Sequence, residues 1–172
     1  MEIVSKFVIG SDKGVSDFLN VKKLSFINLH KSFINEKEIN SYIEEHFDER
    51  KTINELNNLS NQLIITYKEN LAVAYCLIKS GSRHSLFPEE KRTTEIDIAI
   101  LQEYDSEEIR TSLYTKFTSA TKFADIIWIS ILQHNSLIEF LKSKGFELVR
   151  SNFSKEFKLP ASIFCLELSN NN

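Results

Sequence analysis

Glycine and proline are scarce in this sequence, four and two among 172 residues. So little of either leaves no stretch with the composition of a flexible linker, and one domain over residues 1–172 is expected. Cysteine is scarce too. Cys76 and Cys165 lie far apart in apolar, strand-like runs, which reads as two buried thiols in a reducing compartment rather than a disulfide framework. A basic excess is missing: 21 Lys and Arg stand against 24 Asp and Glu, a formal charge of −3. That argues against nucleic acid as the main partner and is compatible with a cationic substrate. No apolar run approaches membrane-spanning length, and Met1 to Gly10 lacks the apolar centre of a signal peptide, so a cytoplasmic protein without a membrane partner is expected. His30, His46, His84 and His134 are scattered, nothing has metal-ligand spacing, and no metal is expected. No Ser or Cys has a His/Asp arrangement that would make a triad. Repeats are absent, and the one low-complexity stretch is the Asn170–Asn172 tail.

What remains is an ordinary globular composition, 42% hydrophobic and 26% charged, with enough chain to bury a substantial core. Its most informative stretch runs from Asp125 to Val149. Ile126 to Leu132 is almost wholly apolar and too short for a core-filling helix, so it reads as a central strand buried on both faces. Ser136 with Glu139 suggests a capping box opening a short helix whose apolar face is Leu137, Phe140 and Leu141. Gly145 then stands where a helix needs a left-handed stop, with Lys142 and Lys144 in the last turn. Phe146, Leu148 and Val149 restart a strand.

Taken in order, Glu2 to Ile9 reads as a first strand. Val15, Phe18, Leu19, Phe26, Ile27, Phe33 and Ile34 keep helical spacing through about five turns. Ile39 to Phe47 gives a second short helix, and Ile53, Leu56 and Leu59 allow a third. Leu63–Tyr67 and Leu71–Ile78 form a hairpin across Lys68, Glu69 and Asn70. Ser80 to Thr93 is a polar surface loop, and its Arg83, His84, Lys91 and Arg92 among Glu89 and Glu90 read as a solvated excursion. Ile96, Ile98 and Ile100 alternate along a fourth strand, with Glu95 and Asp97 on its other face. Asp105 with Glu108 suggests a capping box for a helix from Ser106 to Phe123. Strands near Glu147–Ser151 and Ile163–Leu168 close the chain. This order implies an α/β (mixed α+β) fold around one central sheet.

A buried strand, a cap, a short amphipathic helix and a Gly-Phe stop resemble the closing segment of the GNAT (GCN5-related) N-acetyltransferases, and the element order is similar to theirs over nearly the whole chain. The resemblance implies a mixed, mostly antiparallel sheet of about six or seven strands, flanked by about four helices, with strands 96–101 and 126–132 adjacent and parallel. Leu24-Ser25-Phe26, Phe33, Tyr42, Phe47, Glu55-Leu56, Asn61-Gln62 and Ala74-Tyr75 are similar to the polyamine-acetylating branch. Asn61, Leu63 and Ala74 depart from its Ser-Gln-Phe and Gly-Tyr signatures.

The family's chemistry assigns roles position by position. Acetyl-CoA pyrophosphate is expected on backbone N–H groups at the helix start after the fourth strand, where relatives carry a Gln/Arg-x-x-Gly-x-Gly/Ala loop. Asp105-Ser106-Glu107-Glu108-Ile109-Arg110 stands there, so Glu108 and Arg110 occupy the glycine positions and the loop is degenerate. Glu108, Ile109, Arg110 and Thr111 are the candidate pyrophosphate positions. Ile98 and Ile100 on the fourth strand would meet the pantetheine arm, and His134 and Asn135 would touch CoA before the last helix. A bulge that splays the fourth strand from the fifth is usual in the family, and the even Ile96-Ile98-Ile100 alternation gives no sign of one. Glu95 and Asp97 are the candidate general bases. The tyrosine that protonates the departing thiolate is replaced by Leu141, and Tyr114 is the nearest tyrosine in sequence. Two readings follow. One is transfer of acetyl from acetyl-CoA to a primary amine of a small molecule, a polyamine included. The other is an inactive GNAT-fold module that binds a different small ligand or a protein. Either allows a homodimer.

Overall fold

A computed structural model describes residues 1–169 of the chain, and the Asn170–Asn172 tail lies outside them. The elements are β1 (Ile3–Val8), α1 (Asp12–His30), α2 (Glu36–His46), α3 (Glu49–Asn57), β2 (Asn61–Lys68), β3 (Leu71–Ser80), β4 (Thr93–Ile100), a 3₁₀ turn (Gln102–Tyr104), α4 (Glu107–Ala120), β5 (Ile126–Leu132), α5 (Leu137–Ser143), β6 (Glu147–Phe153) and β7 (Pro160–Glu167). The seven strands hydrogen-bond in the order β1-β2-β3-β4-β5-β7-β6. β4 and β5 are parallel, and the ladders β1–β2, β5–β7 and β6–β7 are antiparallel. The mixed, mostly antiparallel sheet and its parallel β4–β5 pair are those the sequence implies, with five α-helices where about four were expected.

Two compact units make up the chain: residues 1–78 with 98–118, and residues 79–97 with those from 119 onward. In the first, Phe18 and Val21 of α1 pack against Leu63, Ile65 and Tyr67 of β2, Tyr75 and Leu77 of β3, and Ala99 and Leu101. Alternate residues of each strand supply one side of this cluster, as a pleat requires. Phe18 meets Tyr75 edge-on at 4.7 Å, a preferred aromatic geometry. The helix α1 stops at His30, so Phe33 and Ile34 lie in a turn beyond it and Phe33 is exposed. Phe26 stacks on Tyr42 of α2 instead, with ring centroids 5.0 Å apart. Ser11 caps α1 by accepting the Gly14 N–H. A Cβ on Gly14 would stand 2.5 Å from both the Ile9 carbonyl oxygen and Val8 Cγ1, so only glycine fits that close approach. The β2–β3 hairpin turns on Glu69 and Asn70, both at positive φ, which matches the right-handed strand twist.

In the second unit, β5 lies between β4 and β7. Ile126, Ile127, Trp128 and Ile129 are all buried, as expected of a central strand, and Ser130 alone is exposed. The helix α5 buries Leu137, Ile138, Phe140 and Leu141. Gly145 ends it at φ +96°, and the Phe146 N–H returns to the Leu141 carbonyl at 3.1 Å, the expected left-handed stop. Its start differs from expectation. Ser136 makes no side-chain cap bond. Asn135 Oδ1 accepts the Leu137 N–H at 2.9 Å instead, an Asx turn that competes successfully with the serine.

Candidate active site

The fourth and fifth strands are joined first at their entry. Arg92 grips Asp125 through Nε at 3.2 Å and Nη2 at 3.0 Å, and its backbone N–H donates to Asp125 Oδ2 at 2.8 Å. A bidentate fork of this kind fixes register as well as orientation. Three parallel pairs follow, Thr93↔Ile126, Thr94↔Ile127 and Glu95↔Trp128, and the ladder ends there, before the last five residues of β4. Beyond it Ile98 and Ile100 are half-buried, whereas Ile96 is fully buried. The two isoleucines beyond the parallel ladder are thus less covered than Ile96, although all three alternate on one face.

Ser82 organises the next layer. Gly81 carries the chain out of β3 at φ +77°, and its N–H donates to the Thr93 carbonyl at 3.0 Å. The Ser82 carbonyl then accepts from Thr93 Oγ1 at 2.8 Å and from Trp128 Nε1 at 3.2 Å. The Ser82 hydroxyl donates to Glu95 Oε2 at 2.8 Å. One loop residue thereby orients a half-buried carboxylate and satisfies the indole N–H of a buried tryptophan. His84 and Phe87, both half-buried, bring their rings to 5.2 and 6.1 Å from Trp128. The loop read as a solvated excursion is therefore pinned at its first half. The signal in the sequence was the Gly81-Ser82 step directly after a strand, together with the chain's single tryptophan.

The other predicted residues fall in two groups. At the start of α4 the helix begins at Glu107, which puts Ser106 rather than Asp105 in the cap position, and Ser106 Oγ accepts the Ile109 N–H at 3.3 Å. Asp105 holds Arg110, Nε to Oδ1 at 2.6 Å and Nη2 to Oδ2 at 2.7 Å. This bond, more than the neighbouring charges, keeps the guanidinium above its ordinary pKa. Glu108 and Thr111 are exposed, and the Ile109 side chain is buried. In the second unit His134 is exposed, Asn135 is half-buried with its Oδ1 engaged by the Leu137 N–H, and Leu141 is buried. Tyr114 packs edge-on to Phe117 at 5.2 Å, and burial raises its hydroxyl pKa; it is a packing aromatic of α4. Asp97 is half-buried two residues beyond Glu95.

No family model and no curated protein matches the sequence. Solved structures match over the whole chain. The PaiA N-acetyltransferase of Thermoplasma acidophilum, solved with coenzyme A, superposes with a TM-score of 0.75 at 15% identity, covering 98% of this chain and 100% of its own. YncA of Salmonella typhimurium, a putative acetyltransferase solved with acetyl-CoA, gives 0.74 at 12% identity over 100% and 97%. This chain has the GNAT acetyltransferase fold. FeeM, an N-acyl amino acid synthase from uncultured soil microbes, shares it with a TM-score of 0.68 at 12% identity over 98% and 92%. At such identities the likeness fixes the GNAT fold and leaves the site to its own residues. Among the described residues no helix is long and apolar enough to cross a membrane, and no group of three or more His, Cys, Asp and Glu is arranged to hold a metal.

Proposed function

We propose that this chain is a GNAT-type N-acyltransferase that moves acetyl from acetyl-CoA to the primary amine of a small molecule, with Glu95 as the base that takes the amine's proton. The observation that carries this reading is the held carboxylate of Glu95. Ser82 fixes its Oε2 at 2.8 Å, beside the last pair of the parallel ladder, Glu95↔Trp128. A carboxylate with one oxygen anchored presents the other in a defined direction, which is what proton abstraction requires. Asp97, on the same face of the strand, is the alternate base. The donor, when bound, supplies a thioester carbonyl. By the family resemblance, Ile98 and Ile100 are the proposed pantetheine positions, Glu108, Ile109, Arg110 and Thr111 the proposed phosphate positions, and His134 and Asn135 further proposed contacts of the donor.

These residues fit a pyrophosphate only in part. Arg110 is already occupied by Asp105, the Ile109 N–H already has the Ser106 oxygen, and Glu107 and Glu108 oppose an anion. Each carboxylate at a helix start contributes about 0.3–1 kcal/mol through the dipole, in the helix's favour and against a second anion. Weak donor affinity follows. Leu141 offers no proton to a departing thiolate, which points to slow turnover.

The N-terminal likeness makes polyamines one class to try. The test is mass-spectrometric detection of acetylated product from acetyl-CoA and a panel of primary amines, with Glu95→Gln beside the natural protein. Product from the natural protein, reduced about 10²–10⁴-fold by the substitution, supports the reading. A protein that binds acetyl-CoA and acetylates none of the panel contradicts it. The Asp105–Arg110 pair favours the second reading, a GNAT-fold module that binds another ligand, and that outcome would select it.

A further inference from the structure

Resting on the reading of Glu95 above, we infer that the amine recognised there is a primary monoamine with an aryl or short alkyl body, held by Glu95 and by the ring wall of His84, Phe87 and Trp128. Three rings stand mutually close: His84 to Trp128 at 5.2 Å, Phe87 to Trp128 at 6.1 Å and His84 to Phe87 at 6.2 Å. Trp128 is buried, and His84 and Phe87, both half-buried, lie against it. The cluster therefore presents an apolar wall, with the indole face covered, rather than open ring faces around an ammonium. His84 Nδ1 accepts the Leu86 N–H at 3.2 Å, which fixes one ring of the wall.

Ser82 locks wall and carboxylate together. Its carbonyl takes the Trp128 indole N–H and its hydroxyl takes Glu95 Oε2, which leaves Oε1 for a ligand. Charge then decides between one ammonium and several. Asp97 lies about 7 Å along the strand from Glu95, the spacing a diamine would want, but it already takes part in an interaction of its own. Glu89 and Glu90 are exposed on the loop. On the ring side a second ammonium would meet aromatic surface, where its desolvation is offset only by the modest attraction of ring faces. An apolar body gains from that contact.

Trp128 is the only tryptophan, so its indole N–H resonance reports on this place alone. The experiment titrates ¹⁵N-labelled full-length protein with 2-phenylethylamine, spermidine and the neutral 2-phenylethanol at fixed ionic strength, each with and without coenzyme A. The expected result is a saturable indole shift with 2-phenylethylamine, and affinities at least about tenfold weaker for the other two. Glu95→Gln should weaken 2-phenylethylamine about tenfold. Phe87→Ala should do likewise, with Phe87→Leu restoring much of the loss and showing that the loop still folds. Spermidine binding as tightly as 2-phenylethylamine, or no indole shift from the latter with or without coenzyme A, overturns the inference. The acetylation assay fails separately: amine binding without acetylated product would remove the acyltransferase reading and leave the binding site standing.

Discussion

Arg110 closes two guanidinium nitrogens on Asp105, five residues earlier in the chain, at 2.6 and 2.7 Å. Both side chains are largely shielded, at 22% and 16% exposure, so the pair is stronger than an ordinary surface bridge. Asp105→Asn should lower the unfolding free energy by about 1 kcal/mol. Urea denaturation of the two proteins checks it, and equal stabilities would mean that solvent competes fully for the pair.

The helix starts give a sharper test because structure and sequence disagree there. Asn135 accepts the Leu137 N–H, while Ser136 makes no cap bond. Asn135→Ala should therefore cost about 0.5–2 kcal/mol, and Ser136→Ala distinctly less. Ser106→Ala, at the other helix, should cost a similar amount to Asn135→Ala. Thermal melts of the three variants decide, and the reverse ranking at residues 135 and 136 would refute the assignment.

Two glycines cannot be replaced cheaply. Gly145 stands at φ +96°, and Gly14 would drive a Cβ to 2.5 Å from a backbone oxygen. Gly145→Ala should cost about 1 kcal/mol or more through backbone strain. Gly14→Ala should cost more than the strain at Gly145, since backbone must move. Chemical denaturation of both variants measures the difference.

Alkaline pH supplies a separate check in the first unit. The Tyr67 hydroxyl is raised well above its ordinary 10 by burial first, then by its hydrogen bond to Asp17 and the charge of that carboxylate. A raised value favours the neutral hydroxyl in the folded state. The stability it contributes is complete below pH 10 and is lost as pH rises beyond that value. Tyr67→Phe should be about 1 kcal/mol less stable at neutral pH, and the gap should close toward about pH 11. Urea melts at the two pH values measure it, and a constant gap would contradict the assignment.

Much of the fold was legible because its signals are local. The apolar run Ile126–Leu132, the Gly145 stop and the periodicity of Ile109, Leu113 and Phe117 each reflect burial that the sequence pattern records directly. Boundaries were less legible. Phe33 and Ile34 keep the spacing of the first helix and so extend it in the sequence pattern, yet the chain turns at His30 and Phe33 faces solvent. The α4 cap was misplaced by one residue because Asp105 and Ser106 are both good caps; at α5 Ser136 does hold the cap position, but the side-chain bond comes from Asn135 beside it. Glu95 was readable as a strand carboxylate, whereas its contact with Ser82 is long-range: the two lie on different segments, and no spacing rule joins them. The same holds for His84 and Phe87, which appear in sequence as part of a polar loop and in space as the cover of Trp128.

Donor binding is measured most directly by calorimetric titration of acetyl-CoA into the natural protein and into a variant carrying Asp105→Asn and Glu108→Gly. The substitutions release Arg110 and remove a carboxylate from the helix start while leaving Glu95 untouched. Weak but measurable binding is expected of the natural protein, at dissociation constants above about 100 μM, with at least a tenfold gain in the variant. No heat from either protein at millimolar acetyl-CoA would contradict the claim that this fold still takes an acyl donor.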